Sequence, residues 1–418
     1  MAVREVEHLL VGGGIASASA ARELRDGGAD GSMLLVGREL DAPYHRPPCS
    51  KGYLRGTETR EQALVLPADW WEQNDVELML RTSVMSIDAD ARVAKLSNKE
   101  EVKFGTALVA TGAMVRRLNV DGSGLDGIHY LRALGNADAI RSDAEKSERV
   151  VLVGGSYIGC EVAASLTSLG LKCTIVMQEA VTLERAFGPQ AGRFFMQQLT
   201  DRGIEVVGED EIDRFEGTGE GDDARVSSVV TKGGKTLPCD MVVAGVGAMP
   251  DVMLARKTGL ELGELGGVRC SAQLETSVPG IYAAGDMAEF DSVIHGGVMR
   301  IEHEDVAAEQ GRTAAHNMLG RGRAHDTVPY FFSDLADWAS LEYVGPAHEW
   351  DEEITRGSIA DGSFSNWYLK DGRVMAALAV QRSEDLDVAR ALIVAGTPLG
   401  ARKAELADEG SDLASLAS

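Results

Sequence analysis

The chain has 418 residues, enough for about three domains, and 44% of them are apolar and 25% charged, as in globular proteins. Its 41 basic and 65 acidic residues give a formal net charge of −24, which disfavours nonspecific binding to nucleic acid or to anionic membranes. Because we find no transmembrane run, no secretory signal and no C-x-x-C spacing among the five cysteines, we expect a cytoplasmic protein without a metal site.

The first 40 residues predict a strand, a glycine turn, a helix and a second strand. Residues 6–11 and 33–36 are apolar runs, and an Ala-rich stretch of helical spacing lies between them. The turn reads Gly12-x-Gly14-x-x-Ser17, a dinucleotide fingerprint in which serine replaces the third glycine. Such glycines let the backbone approach a pyrophosphate at a helix amino terminus. The residues assigned to this nucleotide are Gly12, Gly14, Ile15, Ala16 and, as the ribose-binding acid, Glu39.

The same order of elements recurs in the middle of the chain. Residues 150–153 and 173–176 are apolar runs, and a helix-like stretch between them follows the turn Gly154-x-Ser156-x-x-Gly159. Ser156 replaces the glycine that comes nearest to the phosphates, which could weaken or re-angle the nucleotide. The residues assigned to this second nucleotide are Gly154, Gly155, Ser156, Tyr157, Ile158, Gly159 and, as the ribose-binding acid, Glu179. Two such openings predict two doubly wound nucleotide-binding domains.

The choice between the two nicotinamide nucleotides depends on the end of the second strand. Met177 occupies the usual place of the acid that binds the ribose 2′-hydroxyl of NAD, and Glu179 lies two residues further on. Arg185 is the cation that could meet the 2′-phosphate of NADP. Because Glu179 is nearer than any cation, NADH is favoured over NADPH.

Further elements are predicted from apolar runs in the rest of the chain. Strands are expected at 102–110, 241–246 and 280–284, each followed by a glycine turn, and a long helix at 297–319. After Pro329, alternating apolar and aromatic residues over 331–344 and 364–379, with a helix at 386–394, predict a third domain of α+β type. The acidic run 216–223 is expected to be a solvated loop.

Several motifs of this chain occur together in a known family. They are Pro43-Tyr44-His45-Arg46-Pro47-Pro48-Cys49-Ser50-Lys51, Ala110-Thr111-Gly112-Ala113, Tyr130-Leu131-Arg132, the Gly154 segment with Glu161, Gly245-Val246-Gly247, Gly285-Asp286, Ile301-Glu302-His303 and Phe331-Phe332-Ser333-Asp334. This pattern resembles the FAD-dependent pyridine-nucleotide oxidoreductases of glutathione-reductase-like fold. Within them it is similar to the oxygenase-coupled ferredoxin reductases and to apoptosis-inducing factor, over the chain to about Gly396.

The resemblance implies an α/β architecture of two Rossmann-type dinucleotide-binding domains plus a C-terminal α+β domain. It implies that FAD is bound by residues 1–117 and 243–323, and NAD(P)H by residues 118–242. The C-terminal domain is expected at 324–400, and residues 401–418, which are rich in Ala, Ser and acids, are expected to form a flexible tail.

The resemblance also implies the roles of individual residues. Lys51 would lie near the reactive edge of the isoalloxazine, where a cation favours hydride uptake, and would pair with Glu161 beside the nicotinamide. Asp286 would accept hydrogen bonds from the ribityl chain. The further cofactor contacts that the resemblance implies are Arg46, Ala110, Thr111, Gly112, Arg132, Gly247, Gly285, Glu302, His303 and Phe332.

Three positions depart from the family pattern. Glu304 and Phe332 stand where the ferredoxin reductases carry tryptophan, and Cys49 stands where leucine is usual. Cys49 is either a small packing residue or a redox cysteine near the flavin, whose pKa the neighbouring Arg46 and Lys51 would lower.

The function expected from the resemblance is electron transfer from NADH through FAD to a 2Fe-2S ferredoxin, by a monomer or homodimer. An acidic ferredoxin would require a local basic patch, for which Arg46, Arg116, Arg117 and Arg300 are candidates. The alternatives are a reductase of a small acceptor, such as a quinone, disulfide or peroxide, through Cys49, and a redox sensor like apoptosis-inducing factor.

Overall fold

The computed structural model describes residues 4–219, 221, 224–346 and 349–417. Its strands, in chain order, are β1 (Arg4–Val11), β2 (Met33–Val36), β3 (Val76–Met79), β4 (Val84–Asp88), β5 (Val93–Leu96), β6 (Glu101–Val109), β7 (Ala113–Val115), β8 (Ile128–Tyr130), β9 (Arg149–Val153), β10 (Lys172–Val176), β11 (Glu205–Val207), β12 (Ile212–Thr218), β13 (Arg225–Thr231), β14 (Thr236–Pro238), β15 (Met241–Ala244), β16 (Ala248–Pro250), β17 (Val268–Cys270), β18 (Ile281–Ala283), β19 (Ala288–Asp291), β20 (Val298–Met299), β21 (Tyr330–Leu335), β22 (Ala339–Val344), β23 (Glu352–Ser358), β24 (Ser363–Lys370) and β25 (Arg373–Val380).

The α-helices of the described residues are α1 (Ile15–Asp26), α2 (Gly52–Arg55), α3 (Trp70–Gln73), α4 (Leu134–Ala144), α5 (Tyr157–Ser168), α6 (Glu184–Thr200), α7 (Met253–Thr258), α8 (Glu304–Met318) and α9 (Glu384–Ala395). Short 3₁₀ helices lie at Pro47–Ser50, Gly400–Leu406 and Leu413–Leu416. Within the same residues, no helix combines the length and apolarity that crossing a membrane requires.

Residue contacts divide the chain into two compact units. The first comprises the chain up to His45, Glu61–Met114 and Met249–Phe331, and the second comprises Arg46–Arg60, Val115–Ala248 and Phe332–Ser418. The domain boundaries expected from the sequence stay a prediction.

The first unit is built on a seven-stranded sheet of the described residues, with the order β3-β2-β1-β6-β5-β4 and β18 paired to β6. The pairs β2–β3, β1–β2, β1–β6 and β6–β18 are parallel. Residues 9–11 of β1, Met33–Val36 of β2 and residues 107–109 of β6 are buried apolar runs, as is typical of parallel strands in a sheet with both faces covered. Helices α1 and α8 pack against each other, with Ala18, Ala20, Ala314 and Ala315 fully buried.

The second unit contains a parallel sheet of order β11-β10-β9-β15-β8 and an antiparallel sheet β12-β13-β14. A separate sheet of order β21-β22-β25-β24-β23 forms the C-terminal region, with α9 packed on β25. Trp367, Tyr368 and Phe364 of β24 are fully buried there. The α/β class with two Rossmann-type sheets and a C-terminal α+β region is therefore confirmed.

Three local expectations differ from the structure. The helix expected at 297–319 begins only at Glu304, since Gly296 and Gly297 have positive φ and residues 298–299 pair with β19 as a short strand. The start of the acidic run 216–223 lies in β12, where Glu216 pairs with Arg214, and three of its residues lie outside the described part of the chain.

The C-terminal segment is the third difference. Residues 401–418 were expected to be a flexible tail, but they contain the two last 3₁₀ helices, and Leu406, Leu413 and Leu416 are buried. Arg356, itself 6% exposed, donates hydrogen bonds to the carbonyl oxygens of Glu405, Asp408, Glu409 and Ser411. The polar composition conceals this attachment because it is made through the backbone of the segment.

We predict that Arg356→Leu lowers the free energy of unfolding by about 3 kcal/mol, because it removes a buried guanidinium that donates hydrogen bonds to four carbonyl oxygens of residues 405–411 and whose Nε lies 3.7 Å from Asp385 Oδ1. Limited proteolysis should then cut within 405–417 before it cuts elsewhere. Urea unfolding measures the first effect, and Arg373→Leu, an exposed arginine of the same sheet, is the control. Equal midpoints for the two variants would contradict the prediction.

A second stability prediction concerns His325, which is 2% exposed and packs on the ring of Phe290. Burial lowers the pKa of His325 to about 4. Because the unfolded pKa of histidine is about 6.5, the unfolded chain binds more protons between these values, and stability is lost as the pH falls through this window. His325 should thus cost about 2 kcal/mol of stability between pH 7 and pH 5. Urea unfolding of His325→Asn should show a correspondingly smaller loss, and identical losses would contradict the assignment.

Candidate functional site

Three glycine-containing segments meet at one edge of the first unit's sheet. Residues 12–14 follow β1, residues 110–112 follow β6, and residues 285–286 come just after β18. These three strands are parallel neighbours, and ligands of open α/β sheets bind at the carboxyl ends of such strands. The structure therefore brings together the segments that the sequence assigned to the first nucleotide.

The turn after β1 requires glycine. Gly12 has a φ of +121°, and a Cβ there would lie 2.1 Å from the carbonyl oxygen of Ala110. A Cβ at Gly14 would meet nothing within 4 Å, so this residue borders open space in front of α1. Gly14 is the N-cap of α1 and has no side chain that could cap the helix. The backbone N–H groups of Ile15 and Ala16, at the positive end of the helix dipole, are therefore available to an anion. The residues present fit a dinucleotide pyrophosphate.

Close helix packing supports this cradle. A Cβ on Gly311 of α8 would lie 2.1 Å from the carbonyl oxygen of Ala16. Gln310, which is fully buried, accepts a hydrogen bond from the backbone nitrogen of Gly285 at 2.8 Å. Gln310 is a residue that sequence reasoning missed, although it lies about two helical turns after the recognised motif that precedes α8.

The predicted ribose end of the cradle is polar and internally paired. Glu39 accepts a hydrogen bond from the Tyr44 hydroxyl at 2.5 Å. Arg38 pairs with Asp251 at 2.8 Å, and the Thr111 hydroxyl donates to the carbonyl oxygen of Asp251 at 2.6 Å. Sequence reasoning missed Asp251, because only the fold places it beside residues 38 and 111.

The segment before α8 carries charged and aromatic groups. Arg300 donates to the backbone oxygen of Asp286 at 2.9 Å and pairs with Glu302 at 2.6 Å. His303 is the N-cap of α8, and its ring centroid lies 4.5 Å from that of Phe331. The Arg300 charge is therefore already paired within the first unit, which makes Arg300 a poor candidate for a basic patch.

The second glycine turn lies at the corresponding edge of the second unit. Gly154 has a φ of +106°, and a Cβ there would lie 2.4 Å from the carbonyl oxygen of Gly245. A Cβ on Gly159 would lie 2.0 Å from the carbonyl oxygen of Gly154. A Cβ on Gly155 would collide with the Met177 side chain. As in the first unit, the helix that follows has no side-chain cap, so these residues also fit a dinucleotide.

Ser156 causes no strain at its position. Its backbone is extended, with a φ of −85°, so a side chain is tolerated, and its hydroxyl contacts the carbonyl oxygen of Gly245 at 3.3 Å. Gly247 and Arg132 follow β15 and β8, which pair in the same parallel sheet as β9, so these residues lie at the same edge. Tyr157 packs edge-on against Phe187, while Ile158 is exposed.

Glu179 forms an ion pair with Arg185 at the end of β10. The two residues between which the sequence analysis chose are thus each other's partners. The Arg185 side chain is 75% exposed and that of Glu179 is 23% exposed. The carboxylate is therefore the more fixed group of the two.

A buried ionic cluster of the second unit contains the predicted pair Lys51 and Glu161. The Lys51 Nζ lies 3.4 Å from Glu161 Oε1 and 2.8 Å from Asp334 Oδ2. Glu161 projects from α5, Lys51 follows the 3₁₀ helix Pro47–Ser50, and Asp334 belongs to β21. The structure thus brings the predicted pair together and adds a third charged residue.

Two hydroxyl groups complete this cluster. Ser50 and Ser333 each donate to a different oxygen of Glu161, both at 2.5 Å. Burial raises the pKa of Glu161, while Lys51 and the two hydroxyls act in the opposite direction. Sequence reasoning gave no role to Ser50, Ser333 or Asp334, although all three stand within or next to recognised motifs.

The positions that depart from the family pattern have defined surroundings. Phe332 is 50% exposed, and Lys51 Nζ lies 4.6 Å from its ring centroid. Glu304 Oε1 lies 2.6 Å from His45 Nδ1. Cys49 is buried in the 3₁₀ helix that precedes Lys51. Arg46 donates to the carbonyl oxygen of Arg132 at 2.9 Å.

The predicted flavin contacts fall on both units. Arg46, Lys51, Arg132 and Phe332 belong to the second unit and the other flavin residues to the first. Their roles toward FAD stay predictions.

Comparisons with known proteins agree with this geometry. Residues 6–311 match the family described as pyridine nucleotide-disulphide oxidoreductase. Residues 330–417 match the family described as reductase C-terminal, which includes the segment that was expected to be a flexible tail.

Individual relatives are similar over the whole chain. A 5,5′-dehydrodivanillate O-demethylase ferredoxin reductase subunit from Sphingobium is 33% identical over 98% of this chain and 97% of its own. The putidaredoxin reductase of Pseudomonas putida is 32% identical over 94% of this chain and 92% of its own. The crystal structure of the ferredoxin reductase for the CYP199A2 system from Rhodopseudomonas palustris, 32% identical, superposes with a TM-score of 0.92 over 99% of this chain and 100% of that one.

Proposed function

The chain belongs to the pyridine nucleotide-disulphide oxidoreductase family, and we propose that it transfers electrons from NADH through FAD to a 2Fe-2S ferredoxin. It is an oxidoreductase of the ferredoxin reductase type, and its cofactors are FAD and NAD(P)H. The observation that carries the proposal is the pair of glycine cradles, one in each unit, each before a helix without a side-chain cap. Two cradles of this kind suit two dinucleotides.

FAD is assigned to the cradle of the first unit. Gly12, Gly14, Ile15 and Ala16 would face the pyrophosphate through their backbone, and Glu39 would accept hydrogen bonds from the ribose. The further contacts proposed for the flavin part are Ala110, Thr111, Gly112, Gly285, Asp286, Glu302 and His303 of the first unit, and Arg46, Arg132 and Phe332 of the second.

NADH is assigned to the cradle at residues 154–159, with Gly247 at the same sheet edge. Glu179 would bind the ribose 2′-hydroxyl, and its carboxylate would repel a 2′-phosphate. Arg185 partly neutralises that carboxylate in this structure, so selectivity for NADH over NADPH should be limited. We assign residues 1–117 and 243–323 to FAD binding, 118–242 to NADH binding and 324–400 to the C-terminal domain.

Lys51 and Glu161 are assigned to the hydride-transfer site. Bound FAD accepts a hydride as a two-electron carrier and releases electrons singly. The Lys51 ammonium would stabilise negative charge on the reduced flavin. The burial of Lys51 strengthens this effect, because water does not screen the ammonium. Glu161, which is fixed by two seryl hydroxyls, would pair with the ammonium and border the nicotinamide.

The ferredoxin partner is inferred from the ferredoxin reductases among the relatives and from local charge. Arg116 and Arg117 are adjacent and exposed, so they can meet an acidic protein despite the net charge of −24. The described cysteines are free, which agrees with a reducing cytoplasm as the proposed location.

Anaerobic titration with NADH tests the proposal in two steps. Bleaching of the flavin band by NADH at lower concentrations than NADPH is expected. Stopped-flow mixing of the reduced protein with a 2Fe-2S ferredoxin should then reoxidise it faster than a quinone, a disulfide or a peroxide does. If a disulfide or a peroxide reoxidises the parent protein but not Cys49→Ser, the acceptor is a small molecule and not a ferredoxin. Absence of flavin, or of bleaching by either nucleotide, would refute the proposal as a whole.

A further inference from the structure

Lys51 has two carboxylate partners, and the nearer one is not Glu161. Its Nζ lies 2.8 Å from Asp334 Oδ2, a normal distance for a charge-assisted hydrogen bond, but 3.4 Å from Glu161 Oε1. The Lys51 and Glu161 side chains are 8% and 9% exposed, whereas that of Asp334 is 26% exposed. Asp334 therefore holds the ammonium from the side that is open to water.

Glu161 is held by hydrogen bonds to groups other than Lys51. Each of its oxygens accepts a hydroxyl hydrogen bond at 2.5 Å, one from Ser50 and one from Ser333. The Ser50 backbone is in turn fixed by the Ser165 hydroxyl, which donates to its carbonyl oxygen at 2.6 Å. Glu161 is thus held in place without a short contact to Lys51.

The charges of the cluster do not balance if every group is ionised. Two carboxylates share one ammonium, and the Phe332 ring covers Lys51 Nζ at 4.6 Å without adding charge. Two further titratable side chains lie near Glu161, because its charge adds to the effect of burial in raising the pKa of Tyr157 and of Cys160. Burial and the charge of Asp334 raise the pKa of Glu161, in opposition to Lys51.

We propose that Asp334 is a positioning residue, which binds the Lys51 ammonium at the solvent side and keeps it from closing onto Glu161. The inference rests on the proposed function, because Lys51 and Glu161 are proposed to act at the hydride-transfer site. Without the Asp334 charge, Lys51 would approach Glu161 and would stabilise its ionised form. The role of Asp334 is then to set the charge state of Glu161 and the position of the ammonium.

The test follows the ionisation of Glu161 directly in the FAD-loaded protein. Infrared spectra recorded over a range of pH detect the carbonyl band of a protonated carboxylic acid, which Glu161→Gln assigns. In Asp334→Asn this band should disappear at a pH lower by about one unit or more than in the parent protein. The rate of flavin reduction by NADH should also depend on pH through Glu161. The midpoint of that dependence should move by the same amount. Asp334→Glu, which keeps the charge, should restore most of the original midpoint.

The matched control is Asp337→Asn, which makes the same change of charge at an exposed position three residues away. Equal midpoints in Asp334→Asn and the parent protein, or equal shifts in Asp334→Asn and Asp337→Asn, would overturn the inference. No Glu161 band at any pH would also overturn it, since Lys51 would then neutralise Glu161 directly. A shifted midpoint with unchanged hydride-transfer rates would uphold the positioning role and refute the proposed site of hydride transfer, so the two failures are distinguishable.

Discussion

Replacing Lys51 with methionine is expected to slow anaerobic flavin reduction by NADH about 10²–10³-fold, the usual effect of losing one preorganised electrostatic contact. Methionine keeps the unbranched stem of the side chain but removes the ammonium. Because Lys51 is buried, water cannot replace the lost charge at the proposed hydride-transfer site. Stopped-flow absorbance at saturating NADH measures the rate, and the FAD-to-protein ratio shows whether the cofactor is still bound.

The control for Lys51→Met is Lys103→Met, because this lysine is exposed and forms a surface ion pair with Glu5. It should reduce its flavin at the parent rate. Lys51→Met also leaves Glu161 and Asp334 without their common cation, so a loss of stability of about 3–5 kcal/mol is expected. Adding Glu161→Gln should recover part of that stability but not the rate. A Lys51→Met protein with full FAD and the parent rate would remove Lys51 from the proposed hydride-transfer site.

The two strands on either side of each glycine turn and its helix could be predicted closely from the sequence, whereas no strand was predicted for β3, β8 or β11. The runs expected at 6–11, 33–36 and 150–153 lie in β1, β2 and β9, and the run at 173–176 lies in β10. Buried parallel strands contain few polar residues, so their limits are marked by glycine and charged residues. The same signal located both glycine turns.

The start of α8 could not be predicted, because the sequence from Gly297 is compatible with a helix by composition. Tertiary pairing with β19 holds residues 298–299 in a strand, and His303 then occupies the N-cap position of the helix without a side-chain capping bond. Helical propensity is a weak preference that such contacts override.

The contacts around Glu161 were also beyond prediction. Its hydroxyl donors Ser50 and Ser333 are 111 and 172 residues away in sequence, and Asp334 is 283 residues from Lys51. A single sequence contains no periodicity that links such positions. The family resemblance indicated Lys51 and Glu161, but only the fold shows that a second carboxylate shares the ammonium.

The strongest test of the nucleotide assignments compares alanine at the two glycine turns. Gly154→Ala should retain FAD but bind NADH more than about tenfold more weakly, since it combines a positive φ with a Cβ 2.4 Å from the Gly245 carbonyl oxygen. Gly12→Ala should instead be purified with little FAD, because its Cβ would lie 2.1 Å from the Ala110 carbonyl oxygen. The dependence of the reduction rate on NADH concentration and the absorbance of the purified protein report the two effects.

Gly170→Ala separates a loss of nucleotide binding from backbone strain alone. Gly170 has a φ of +93° but no atom within 4 Å of a Cβ, and it lies in the turn after α5, at the opposite end of that helix from Gly154. This variant should lose a small amount of stability through its backbone and keep the parent affinity for NADH. If Gly154→Ala loses FAD, or if Gly12→Ala keeps FAD and loses NADH, the two assignments are reversed. If Gly154→Ala and Gly170→Ala weaken NADH binding equally, the effect is one of general strain, and the cradle at residues 154–159 does not hold the nicotinamide nucleotide.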